Sequence, residues 1–218
     1  MTLFLYKLHL NLADRGVRRD LSNAYEMHRS LSRAFFALDH EKVSPFLWRN
    51  ESTAGDASPF LLVQSTTAAH WDALAPRWLL EWQERRWDPQ TALRPGLRVS
   101  FRLRANPTVN RLPNEQEQQG ESARGRRKRL GLWREEEQLQ WLERQAERAG
   151  LASVEAAVSQ AERLRCRKRD NMITMASAQF DGNALIEDPD ALVSAVCNGI
   201  GHGRMLGHGL LSLAPQRT

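Results

Sequence analysis

The chain has 218 residues, 41% hydrophobic and 26% charged, which is the composition of a folded globular protein of one large or two small domains and excludes a disordered or collagen-like chain. Its 31 basic and 26 acidic residues leave a net +5, and only four of the cations are lysine, so the positive charge is arginine, whose planar fork suits phosphate and base stacking. No apolar run approaches the roughly 20 residues of a spanning helix, residues 1–10 lack a small-residue cleavage site, and Cys166 and Cys197 are too isolated for a disulfide framework or a CxxC knuckle; a membrane-spanning helix is excluded and a cytoplasmic protein with free thiols is expected.

Residues 2–10 alternate, with Phe4, Tyr6, Leu8 and Leu10 on one face, and predict a first strand. A turn holding Asp20, Ser22 and Asn23 leads into a helix over 24–38, where Met27, Leu31, Ala34, Phe35 and Leu38 form a stripe and Asn23 with Glu26 suits an N-cap pair. Residues 46–50 and 60–65 read as a strand hairpin around a loop at 53–59, residues 68–74 as a short helix and 78–87 as a fourth strand. That order is a ferredoxin-like βαββαβ unit.

After a linker at 89–96 the order restarts. Residues 97–106 alternate, with Leu97, Val99, Phe101, Leu103 and Ala105 inward and Arg98, Arg102 and Arg104 outward. Residues 113–131 are polar and read as a mobile insertion, 133–149 as a helix with Leu139, Leu142 and Ala146 inward, and a second helix from Ser153 runs into an arginine cluster. Residues 172–180 and 183–186 read as paired strands turning at Asp181–Gly182, 188–197 as a helix and 210–214 as a closing strand. The fold class is therefore α+β, with two ferredoxin-like domains over 1–88 and 97–218.

The chemistry-bearing residues gather at few places. Tyr25, His28 and Ser32 share one face of the first helix, beside its apolar stripe and near its phosphate-friendly N-terminus, with Arg29 and Arg33 on the solvent side. An imidazole titrating near neutral pH, a phenol and two guanidiniums suit metal-free RNA cleavage, in which the ribose 2′-OH attacks its own phosphate; the same spacing also suits an ordinary surface histidine beside a packing tyrosine. Arg163, Arg165, Arg167 and Arg169 recur with period two and, if extended, put four guanidiniums on one face for an RNA stem, while Arg124, Arg126, Arg127, Lys128 and Arg129 offer a second basic track. GIGHGRMLGHG at 199–209 is no dinucleotide fingerprint, because position 206 is Leu, and no P-loop; its glycines let backbone approach phosphate or another chain segment. His202 and His208 lie in it without Cys, Asp or Glu at metal-ligand spacing.

Three blocks, NAYEMHRSLSRA at 23–34, FRLRANP at 101–107 and GIGHGRMLGHGLLSLAP at 199–215, closely resemble the CasE family of CRISPR repeat-RNA endoribonucleases from the type I-E Cascade complex, in the family's order and spacing. The resemblance implies RAMP-type tandem ferredoxin-like domains that bind the stem-loop of a CRISPR repeat, cut at its 3′ base without metal or cofactor, leave a 2′,3′-cyclic phosphate and a 5′-hydroxyl, and retain the mature crRNA in Cascade. Its implied partners are crRNA, other Cascade subunits and target DNA only through the complex. The family's catalytic histidine falls on His28, its assisting tyrosine on Tyr25 and a nearby lysine on Arg33, which keeps the charge and loses a proton donor. RNA contacts are expected from Arg29, Ser32, Arg102, Arg104, Arg163, Arg165, Arg167, Arg169, Gly201, Gly203, Gly207 and Arg204, the last where a lysine is common. A non-catalytic hairpin-binding scaffold of the same fold is the alternative; a DNA-binding regulator lacks its reading helix.

Overall fold

Period-two patterning builds the first sheet as expected. In a computed structural model, which describes residues 1–36, 43–52, 58–111, 128–168 and 171–216, β1 (Leu3–Leu10), β2 (Phe46–Asn50), β3 (Phe60–Ser65) and β4 (Leu79–Trp87) form an antiparallel sheet in the order β2-β3-β1-β4. Tyr6, Leu8 and Leu10 point into a core closed by Met27, Leu31, Phe35, Trp48 and Trp71.

Two helices lie between β1 and β2 where one was expected. Residues Arg15–Ser22 form α1, capped by Asp14, and Ala24–Ser32 form α2, which ends in a 3-10 turn at Arg33–Phe35; residues 37–38 of the expected long helix lie outside the described residues. Asp20, expected in a turn, sits inside α1 and is buried, accepting hydrogen bonds from Ser30 Oγ at 2.6 Å and Trp78 Nε1 at 2.9 Å and pairing with Arg19. One carboxylate thus fastens α1, α2 and the start of β4. The expected helix at 68–74 is only a 3-10 turn, Trp71–Ala73.

The expected linker is structured: α3 (Pro89–Ala92) is capped by Asp88, and Leu93 is buried in the second core. That core belongs to β5 (Arg98–Ala105), β8 (Leu151–Lys168), β9 (Asn171–Ile186) and β10 (Leu211–Pro215), in the order β10-β5-β9-β8, covered by α4 (Glu135–Arg148) and α5 (Pro189–Asn198). Counted by its own four strands, each sheet reads second, third, first, fourth, so the tandem ferredoxin-like reading holds. Leu97 was expected inward and is exposed, since the strand begins after it.

Three expectations for the second half are corrected. The helix from Ser153 is strand β8: Val154, Ala156 and Val158 alternate onto the core, and pairing with β9 outweighs the helix propensity of Ala, Glu and Gln. The two strands around Asp181–Gly182 are one, β9; Gly182 pairs with Ala156 between two bulges of β8, and a Cβ there would stand 2.4 Å from the Glu155 carbonyl oxygen. The end of the expected insertion is ordered too, because β6 (Thr108–Arg111) pairs with β7 (Lys128–Gly131); Arg124, Arg126 and Arg127 lie outside the described residues. Strand β5 meets β9 only from Ala178 to Leu185, so Asn171 to Ser177 pair with β8 alone. At about 3.3 Å per residue, that two-stranded ribbon reaches roughly 20 Å past the sheet.

Candidate active site

Helix α2 brings Tyr25 and His28 to the seam between the two sheets. Asn23 caps it, its Oδ1 accepting from Tyr25 N at 3.2 Å, and its Nδ2 donates to the Arg167 carbonyl at 2.9 Å, so the first turn of α2 is tied to the end of β8. Glu26 does not close the expected capping pair; it binds Arg29 and Arg19.

His28 is half-buried and stacks on Phe46 with ring centroids 4.8 Å apart and planes 18° apart. Its Nδ1 is buried with no hydrogen-bond partner, and burial pushes its pKa down to about 4. The ring is therefore neutral at pH 7 and able to accept a proton. It lines a cleft of about 510 Å³ with Phe46, Gln64, Ser65, Asn198 and Arg204. Tyr25, half-buried, lines a neighbouring cleft of about 460 Å³ with Gly201, His202, Gly203 and Arg204. Arg204 is common to both. Ser32 turns its hydroxyl back to the His28 carbonyl at 2.7 Å. Arg33 is exposed at the far end of α2 and lines neither cleft.

The glycine-rich segment packs first against protein. Gly199 and Gly207 adopt φ of +75° and +79°, and a Cβ there would meet Leu47 at 2.9 Å and Trp48 at 3.0 Å, so the loop fits against β2 only because it is bare. Gly209 N donates to the Arg104 carbonyl at 2.7 Å. His208 is buried between the Leu206 carbonyl and Ser177 Oγ, each 2.9 Å away, and burial with the nearby Arg104 charge lowers its pKa to about 3. Among the described residues no three His, Cys, Asp or Glu side chains gather as metal ligands, and no helix is long and apolar enough to cross a membrane.

The arginines divide into two sets. Arg102 is held by Asp181 at 2.6 Å and Glu51 at 3.1 Å, and Arg104 pairs with Glu162. Residue Arg49, which the sequence did not single out, is 1% exposed; it pairs with Glu51 and donates to the Arg102 carbonyl (3.1 Å), the Leu210 carbonyl (2.9 Å) and Ser212 Oγ (2.8 Å). These cations sew β2 of the first sheet to β5 and β10 of the second. In contrast, Arg163, Arg165 and Arg167 stand exposed on one face of β8, with Leu164 and Cys166 on the other, as the period-two spacing requires of extended chain. Arg163 stacks over Trp133, 4.7 Å from its ring centre, and Arg165 lines a cleft of about 540 Å³ between α1, α2 and β8. Arg169 lies outside the described residues.

Two linked ferredoxin-like sheets, with a neutral imidazole and a phenol on a helix at their seam and a row of exposed arginines alongside, define an α+β class of tandem ferredoxin-like protein. The model of the family described as CRISPR associated protein matches residues 3–215. The CRISPR-associated endoribonuclease Cse3 of Thermus thermophilus is 35% identical over 98% of this chain and 100% of its own length. The Cascade subunit CasE of Escherichia coli is 37% identical over 56% of this chain and 61% of its own length. A solved structure of Thermus thermophilus Cse3 bound to an RNA representing a pre-cleavage complex superposes with a TM-score of 0.83 at 34% identity, covering 99% of this chain and 100% of that one. The chain belongs to the CRISPR associated protein family, and its resemblance to the endoribonuclease Cse3 extends over nearly its whole length.

Proposed function

We propose that this chain is an endoribonuclease that binds the stem-loop of a CRISPR repeat, cuts at its 3′ base, and keeps the mature crRNA as a subunit of a cytoplasmic Cascade complex, reaching target DNA only through that complex. The observation that carries this reading is the tie from Asn23 to Arg167, which sets the exposed arginines of β8 beside the helix bearing Tyr25 and His28. The relatives named endoribonuclease and Cascade subunit support the substrate and the assembly.

In this mechanism Arg163, Arg165, Arg167 and Arg169 hold the phosphates of the stem. Neutral His28 takes the proton from the 2′-hydroxyl as O2′ bonds to phosphorus, the P–O5′ bond breaks, O5′ takes a proton from water, and the imidazolium then returns its proton to the solvent; the products are a 2′,3′-cyclic phosphate and a 5′-hydroxyl, with no metal or cofactor. Tyr25 hydrogen-bonds the reacting phosphate and Arg33 adds positive charge from the helix end. Negative phosphate beside the ring stabilises the imidazolium formed, so bound RNA raises the pKa that burial lowers. Arg29, Ser32, Arg102 and Arg104 have their principal bonds within the protein, and any RNA contact they make is secondary.

Incubating the protein with a repeat hairpin in EDTA and analysing the RNA ends tests the reading. Cleavage to a cyclic phosphate and a 5′-hydroxyl supports it; RNA bound tightly and left intact means a scaffold, and cleavage only with added divalent ion overturns the metal-free step.

A further inference from the structure

We infer that a single unpaired nucleotide flanking the cut has its own subsite, its phosphate held by Arg204, His202 and Arg129 and its base seated in the pocket between β6 and the C-terminal end of α4. The inference rests on the endoribonuclease reading above.

Two independent features meet here. The first is charge without compensation. Arg204 on the glycine-rich loop lines the same cleft as His202, and Arg129 on β7 stands opposite Asn110 in the ladder, beside the pocket that His202 also lines; desolvation first, then these two cations, holds the exposed His202 below the usual histidine range. Neither arginine makes an ion pair with a described carboxylate, whereas Arg49, Arg102 and Arg104 each do. A cluster of like charges held together without a counter-ion destabilises itself until an anion arrives.

The second feature is a small polar pocket that shares its wall. It measures about 190 Å³ and is lined by Thr108, Asn110, Trp141, Gln145, Arg148, Gly201 and His202. Gly201 and His202 also line the Tyr25 and Arg204 cleft, so the two spaces lie on either side of one loop segment. The bridge between Asn106 and His202 fixes that segment to the end of β5. Gly201 has φ of +78°, and a Cβ there would meet the Trp141 ring at 3.1 Å, so its lack of a side chain lets the loop lie against α4. Asn110 and Gln145 on its wall carry amides with both donors and acceptors, the chemistry that reads a base edge, and His202 on the same wall carries a ring of the kind that stacks on a base. Arg148 adds a cation in the last turn of α4, with no described ion pair. Chain leaving the cleft of Tyr25 past Arg204 thus meets phosphate-binding charge and then a base-sized polar recess.

The test is a double-mutant cycle on binding, so it does not depend on catalysis. The ligand is a repeat hairpin with a single 2′-deoxy sugar at the cut, made either intact or with an abasic site at each of the two nucleotides on either side of the cut in turn. For wild-type protein, one abasic position is expected to weaken binding about tenfold to a hundredfold. The Asn110→Ala/Gln145→Ala variant should bind the intact RNA correspondingly weakly and lose nothing further at that position. Melting temperatures within a few degrees of wild type guard against misfolding, and Arg204→Ala should weaken binding equally for all RNAs, because it touches phosphate. Penalties that simply add, or abasic RNAs that all bind as tightly as the intact one, overturn the subsite. Failure of the nuclease reading shows separately, as an all-ribose hairpin left whole by the wild-type protein.

Discussion

The two halves of the molecule share one strand order and divide the work differently. In the first half the strands are short and the helical layer carries the side chains proposed to react, with His28 sunk against Phe46. In the second half β8 and β9 run to 18 and 16 residues, and the projecting end of β8 carries arginine. In the proposed mechanism, chemistry sits where water can be partly excluded, and grip sits where a long nucleic acid can reach it. A ferredoxin-like unit is thus a frame whose function depends on which layer is elaborated.

Replacing groups in one half at a time is the way to break that division. The largest effect is expected from His28→Ala: single-turnover cleavage should fall about 10²- to 10⁴-fold while affinity for the hairpin stays within about twofold of wild type. A parallel loss of binding and cutting would merge the two roles. Next comes the seam itself. Arg49→Ala takes from the buried Glu51 carboxylate one of its two arginine partners and from the Leu210 carbonyl its guanidinium donor, which should cost about 1–3 kcal/mol and, in calorimetry, separate one unfolding transition into two.

The combined Arg163→Ala, Arg165→Ala and Arg167→Ala variant should weaken hairpin binding and lower the slope of log K against log salt by about two to three, with the rate from saturated enzyme retained; an unchanged slope would move the RNA track elsewhere. Smaller still is a shift in pH dependence. Because His28 must be unprotonated to accept a proton, cleavage is lost as pH falls through its pKa. The acid limb of kcat/KM, which reports free enzyme, should lie near the depressed value of about 4. The limb for single-turnover cleavage at saturation should lie higher, since bound phosphate favours the imidazolium. Coincident limbs would show that RNA leaves the ring's environment unchanged. Tyr25→Phe should give the mildest change, slower cleavage at unaltered salt slope, seen in the same assay.

How much of this was legible follows from where each residue finds its partner. Strands β1, β3 and β5 and helices α4 and α5 were readable because their inward faces are apolar at the right period. Helix α1 escaped because it buries just Val17 and the polar Asp20, a pattern that reads as a turn when the Ser30 and Trp78 bonds to Asp20 are not in view. Strand β8 was misread because its exposed face is rich in helix formers, and its strand character comes from β9. Tyr25 and His28 share a helix face by spacing, and the family resemblance gave that face its meaning. Arg102 and Arg104 looked like free cations because Asp181 and Glu162 lie on β9 and β8, 79 and 58 residues away. Arg49 gave no signal, since a lone arginine in a strand acquires its role from carbonyls of another sheet.

One amide links the two kinds of work. Asn23 grasps Tyr25 with one end and the Arg167 carbonyl with the other, so it behaves as a rivet through a lever. A displacement of the end of β8 therefore bears directly on the turn on which the phenol stands.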